Sequence, residues 1–168
     1  MTARLADPYR DTAVIDSRAP RFNQTVIGVV SILAVATGWW WLLTLLALQL
    51  ALGLTLGRRW CLPCLAYFEL VQPRFGEGKL EDSRPPRAAN VVGMTVLTAA
   101  SIAYGLDAPI VGAALGLLVA ALALLAAATG FCTGCEAYKV LCRVTGRPFV
   151  SCPIPEAQLP KLSLPTEP

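Results

Sequence analysis

From Phe22 to Gly57 the chain carries no charged side chain, and from Ala88 to Cys135 it carries one, Asp107. A Lys, Arg or Asp at the centre of a membrane-spanning helix costs about 2.5–3.5 kcal/mol on insertion scales, so charge-free stretches this long mark membrane spans. Taken as one helix, the first stretch would be about 50 Å long, against a hydrocarbon core of about 30 Å. One span leaves too much over and two are tight, so two tight spans fit better. The turn between them falls at Thr37-Gly38-Trp39-Trp40-Trp41, where glycine breaks the run and tryptophans suit a membrane–water interface. The second stretch breaks at Gly105-Leu106-Asp107-Ala108-Pro109, a stronger turn. The sequence therefore predicts an all-α, polytopic membrane protein, with spans near 23–38, 41–57, 89–105 and 109–130. They would form a four-helix transmembrane bundle from two tandem helical hairpins, each followed by a short interfacial helix.

Charge gives the orientation. All 14 Lys and Arg fall in the N-terminal segment, the middle loop or the C-terminal segment, and the two hairpin turns hold none. By the positive-inside rule both termini and the middle loop are cytoplasmic, which places the chain in the cytoplasmic (inner) membrane with the lipid bilayer as its first partner. Only 15% of residues are charged, against about 25% in soluble proteins. The net charge of +3 then belongs to one face, where it fixes topology and can also attract anionic headgroups. Nothing points to nucleic acid. Ala34-Val35-Ala36 has the form of a signal-peptidase site, but Asp7, Asp11 and Asp16 precede it and hydrophobicity continues past it, so the segment reads as a retained span.

The chain is duplicated. Asp16-Ser17-Arg18-Ala19-Pro20-Arg21 returns as Asp82-Ser83-Arg84-Pro85-Pro86-Arg87, and Cys61-Leu62-Pro63-Cys64-Leu65-Ala66-Tyr67 returns as Cys132-Thr133-Gly134-Cys135-Glu136-Ala137-Tyr138. The arginine boxes are offset by 66 positions and the cysteine pairs by 71, so the second unit holds about five extra residues, around Gly105–Pro109 or in the fourth helix. This divides the chain into a mobile segment 1–15, a membrane domain 16–146 (repeats about 16–75 and 82–146), and a proline-rich cytoplasmic tail 147–168. Parallel repeats of this kind are related by an axis along the membrane normal. Small residues such as Gly112 and Gly116 would allow close helix contacts.

Six cysteines and no histidine narrow the chemistry. Facing the cytosol, the pairs Cys61/Cys64 and Cys132/Cys135 are not expected to be stable structural disulfides. Dithiol redox chemistry and metal ligation remain. For redox, Pro63 suits the first turn of a helix running Cys64–Val71 and ending before Pro73. Cys61 at its N-terminus would gain thiolate character and be open to a soluble partner, with Glu69 and Glu136 working the other way. The alternative is a soft-metal site, zinc or similar, held by Cys61, Cys64, Cys132 and Cys135 as four thiolates. The third reading is packing alone, in a non-enzymatic membrane scaffold, which suits Cys142 and Cys152. Arg18, Arg21, Arg84 and Arg87 fix topology, or stabilise a thiolate if the collars fold toward the pairs; Tyr67 and Tyr138 read as interfacial anchors or packing residues.

Gly130-Phe131-Cys132-Thr133-Gly134-Cys135-Glu136-Ala137-Tyr138 resembles the GFCxGCxxY signature of an uncharacterised bacterial membrane family, domain of unknown function 4395. Residues 16–22, Gln72-Pro73-Arg74-Phe75-Gly76 and 81–87 look like that family too, so the resemblance covers about 16–144. It implies association with thioredoxin-like or rhodanese-like proteins, hence thiol or sulfur chemistry. Cys61 and Cys64 are not a regular part of the pattern, which favours Cys132 and Cys135 as the family-wide pair. The leading expectation is an accessory to membrane thiol oxidoreduction: thiol–disulfide redox or sulfur relay with a soluble partner, needing no cofactor.

Overall fold

The computed structural model describes residues 7–130, 140 and 142–144. A strand β1 (Val14–Asp16) leads into helices α1 (Arg18–Thr37) and α2 (Trp41–Thr55). A 3-10 turn at Arg58–Trp60 follows, then a helical arm made of α3 (Leu62–Ala66), a π turn (Tyr67–Val71) and α4 (Gln72–Phe75). Strand β2 (Leu80–Asp82) opens the second half, with α5 (Arg84–Gly105) and α6 (Pro109–Thr129).

Helices α1, α5 and α6, of 20, 22 and 21 residues, are long and apolar enough to cross a membrane. Helix α2 is shorter, at 15 residues, or about 22 Å, because Leu56 and Gly57 (φ 94°) leave the helix before residue 57. Expected spans beginning at 23 and 89 start earlier, at Arg18 and Arg84. Pro20, Pro85 and Pro86 sit in first turns, where backbone N–H groups have no partner inside the helix and proline costs little. The charged collars are therefore the first turns of the helices. The turns are of equal length, 38–40 and 106–108, so the extra residues of the second half lie in the helices: α5 has 22 residues against 20 in α1, and α6 has 21 against 15 in α2. Gly38 closes α1 in the left-handed region (φ 74°), where its missing Cβ removes the usual penalty.

Helix α1 packs on α6, α6 on α5, α5 on α2 and α2 on α1. Their core is built around Ile27, Ala34, Leu43, Leu50, Leu97 and Val119. Gly112 lies under the Tyr104 ring, and a Cβ on Gly116 would stand 3.2 Å from Val35 and 3.3 Å from Leu43, so both glycines serve close helix contacts as expected. Large apolar side chains such as Leu33, Leu48 and Ile110 point outward, as on a lipid-facing surface. At the hairpin end Trp40 stacks on Tyr104 at 6.3 Å and Trp39 on Trp41 at 5.9 Å.

The fold is not wholly helical. β1 and β2 pair antiparallel, Val14 with Asp82, Ile15 with Glu81 and Asp16 with Leu80. Three-residue strands carry too little alternation to be read from sequence. Residues 7–15, expected as part of a mobile segment, are tied down by this ladder and by Arg58, whose guanidinium donates to the Pro8, Asp11 and Thr12 carbonyls. The register has a local two-fold symmetry: with the 66-residue offset of the arginine boxes, Ile15 pairs with its own repeat-mate Glu81. The exchange continues beyond the ladder. Ser17 N–H donates to Lys79 O (2.9 Å) and Ser83 N–H to Ala13 O (3.0 Å). Arg18 N–H donates to Asp16 Oδ1 (2.9 Å) and Arg84 N–H to Asp82 Oδ1 (2.8 Å).

Candidate functional site

Cys61 and Cys64 lie where the chain turns from α2 into the helical arm, and their sulfurs are joined as a disulfide. Cys61 has extended backbone (φ −89°, ψ 101°) and caps α3, whose first turn contains Pro63. Gly53 on α2 lets this corner approach: a Cβ there would stand 3.1 Å from the Cys61 Cβ. The arm does not stop before Pro73 as expected. Proline has no N–H to give to the preceding turn, and the helix meets it with the π turn, in which Gln72 N–H reaches back to Tyr67 O. The arm then runs on to Phe75 and ends at Gly76.

The pair is buried. Cys61 is 4% exposed and Cys64 9%, packed with Ala19, Tyr67 and Phe68 and flanked by Phe22. Open access for a soluble partner, expected from the sequence, is thus not found at this pair, because the π turn swings Tyr67 and Phe68 over it. Two amides from the helices reach the sulfur. Gln49 Nε2 on α2 donates to Cys61 Sγ at 3.4 Å, and Asn23 Oδ1 on α1 lies 4.0 Å from it, placed to accept the S–H of the reduced form. Gln49 Oε1 is buried without a hydrogen-bond partner among the described residues, at a cost of about 1–3 kcal/mol.

A cavity of about 100 Å³ opens beside the pair, below the strand ladder. Cys61, Cys64, Asn23, Asn90, Arg58 and Arg87 line it. Burial, and then the charge of Arg87, bring the Arg58 guanidinium down to about 10, still protonated at neutral pH. Of the four collar arginines singled out from sequence, Arg87 lines this cavity. Arg84 makes an ion pair with Asp82 at 3.9 Å, and the Arg21 guanidinium packs against Gly130.

Asp16 holds the arm in place. It is 2% exposed. Its Oδ2 accepts from Tyr67 OH (2.9 Å), Gln72 Nε2 (3.3 Å) and Gly78 N–H (2.9 Å), while Oδ1 takes Arg18 N–H. Tyr67 is therefore no interfacial anchor. Its ring packs against Phe22 and Phe68, and burial together with the bond to Asp16 pushes its phenol well above the ordinary tyrosine range. Glu69 is exposed and accepts from Tyr9 OH at 2.8 Å.

Cys132, Cys135, Glu136, Tyr138 and Cys152 lie outside the described residues, and so does half of the four-thiolate metal site. Among the described residues no group of three or more His, Cys, Asp or Glu is placed to hold a metal ion. Cys142 is buried and has no disulfide partner among the described residues. Sequence reasoning missed Asn23, Gln49, Asn90 and Arg58. For the three amides the signal was there: polar groups inside otherwise apolar spans are costly, and they mark sites by default.

No curated protein and no solved structure matches the chain. One family model does, over residues 15–143, and it takes in both cysteine pairs, both arginine boxes and the four long helices. The chain belongs to the family described as a domain of unknown function (DUF4395).

Proposed function

We propose that this chain is a thiol–disulfide protein of the cytoplasmic membrane. It is a four-helix bundle of two tandem hairpins with cytoplasmic termini, and it exchanges reducing equivalents, or sulfur, with a soluble thioredoxin-like or rhodanese-like partner. The observation that carries the reading is the Cys61–Cys64 bond at a helix break, with Gln49 and Asn23 brought to one of its two sulfurs. Those amides distinguish the sulfurs. With Tyr67 and Phe68 of the arm displaced, a partner thiolate attacking Cys64 Sγ, the less buried of the two, breaks the S–S bond and expels Cys61 as a thiolate. The Gln49 N–H group then stabilises that leaving sulfur, and stabilised thiolates leave faster. In the reverse direction the Cys61 thiolate attacks the mixed disulfide at Cys64 and releases the partner thiol. Cys132 and Cys135, the repeat-equivalent pair in the family signature, are the proposed second dithiol.

Titration of the purified protein against a glutathione redox buffer, read by mass spectrometry of the Cys61–Cys64 peptide, tests this. Reversible two-electron interconversion is expected, and in Cys61→Ser membranes a covalent adduct at Cys64 with a soluble thiol protein. A pair that stays inert across the buffer range and traps nothing would remove the proposal.

A further inference from the structure

The sulfur pair opens into a cavity rather than onto the protein surface, and that cavity has a neighbour. A second cleft of about 100 Å³, walled by apolar side chains such as Ile27, Val96, Val119 and Ala123, runs among α1, α5 and α6. Leu50 and Asn90 line both spaces, so the cleft and the cysteine chamber adjoin across these two side chains. Its rim includes Val92 and Leu118, which are exposed on the outward faces of α5 and α6. The space beside Gly93 is open: a Cβ there would meet nothing nearer than Leu50 Cδ1, at 3.7 Å. The two ends differ in chemistry. The α5–α6 rim is apolar, with Gln24 and Asn90 as the polar side chains of the cleft lining, and the inner end holds the sulfur pair and the Arg58 and Arg87 guanidiniums, which also donate to main-chain carbonyls.

We propose that this path admits a lipid-soluble quinone, which enters from the bilayer through the α5–α6 cleft and reoxidises the Cys61–Cys64 dithiol. The inference rests on the thiol–disulfide reading above and names the electron acceptor for the same pair. An occupant of the apolar cleft must dissolve in hydrocarbon, and one that reaches the chamber must present hydrogen-bond acceptors to an amide and guanidinium groups. A quinone does both, and its oxygens gain negative charge as it is reduced, which the two cations favour. The step balances. Two S–H bonds break and one S–S bond forms, and the two electrons and two protons convert the two quinone carbonyls into the two hydroxyls of a quinol.

The test uses the full chain in detergent, reduced and freed of reductant, then mixed with decylubiquinone, whose fully substituted ring resists thiol addition. The expected result is one quinol per reduced pair, with the Cys61–Cys64 bond restored, and no reaction in Cys61→Ser. Gly93→Leu, which fills the cleft without removing any polar contact, raises the quinone concentration for half-maximal rate by about tenfold or more. Asn90→Leu, a second variant at the inner end, does the same. Oxidation by oxidised glutathione but not by decylubiquinone overturns the quinone assignment and leaves the exchange reading standing, and so does an unchanged quinone dependence in both variants. Oxidation by neither reagent overturns both.

Discussion

Asp16 is a buried carboxylate with four donors from three parts of the chain: the first residue of α1, the arm at Tyr67 and Gln72, and the loop at Gly78. Hydrogen bonds to an ionised acceptor are worth more than neutral ones, and an amide would turn its own N–H groups toward those donors. Asp16→Asn is therefore expected to lower stability by about 3 kcal/mol, read as a fall in the thermal midpoint in detergent. An unchanged midpoint would show that the arm does not depend on it. Tyr67 supplies the pH arm of the same contact. Its phenol is raised in the folded chain, so the neutral form is favoured and the stabilisation is complete below the ordinary tyrosine value, about pH 10, and lost as pH climbs through the folded value. At about pH 11 the tyrosinate absorbance of Tyr67→Phe should match that of the wild type, because Tyr67 has not yet ionised. Gln49 separates stability from chemistry. Its buried Oε1 has no partner among the described residues while its Nε2 serves Cys61, so Gln49→Met is expected to hold or raise the thermal midpoint. It should also remove the donor that favours the Cys61 thiolate, seen as slower alkylation of the reduced protein at neutral pH. A lower midpoint with unchanged alkylation would contradict that division of roles.

The elements were legible in the sequence to different degrees, for physical reasons. Absence of charge located the membrane helices, because hydrocarbon taxes each charge heavily, yet it misplaced the starts of α1 and α5. Arg18, Arg21, Arg84 and Arg87 stand within the first turns, whose polar ends can leave the hydrocarbon. The arm beyond Pro73 was missed because a π turn moves the hydrogen-bond register and no composition rule marks it. The burial of Cys61 and Cys64 was illegible too. It depends on Tyr67 and Phe68 folding back and on a carboxylate 51 positions away from Tyr67. What could be read was Gly116, which packs so close to Val35 and Leu43 that an added Cβ would stand 3.2 and 3.3 Å from them. Gly116→Leu should cost about 1–3 kcal/mol through overpacking. Gly105→Ala, with nothing within 4 Å of the added Cβ, should gain up to about 1 kcal/mol from helix propensity. Matched thermal melts decide this, and equal midpoints would mean that the helices are spaced more loosely than the contacts require.

At the scale of the whole molecule, the two-fold exchange at the ladder explains why one face carries the charge and the chemistry together. Both halves begin at paired strands, run through a charged first turn into a long apolar helix and turn at residues 38–40 and 106–108. In the proposed tandem-hairpin reading each half returns to the end it left, and the cysteine chamber, Arg58, Arg87 and the arm sit at the ladder end. Trp40 and Tyr104 tie the opposite ends together. If the positive-inside rule sets orientation, that opposite end faces outward in cells, and the proposed thiol partner would approach from the cytoplasm while the proposed quinone would enter between helices. Single cysteines placed in a background with all six native cysteines replaced by serine measure this directly. Asp107→Cys, in the second hairpin turn, is expected to react with a membrane-impermeant maleimide added to intact cells. Arg74→Cys, exposed on the arm, should react only in inverted vesicles. The reverse pattern would put the sulfur chamber on the outer side and exclude a cytoplasmic partner; labelling of both positions from one side would break the two-crossing repeat that the ladder symmetry implies.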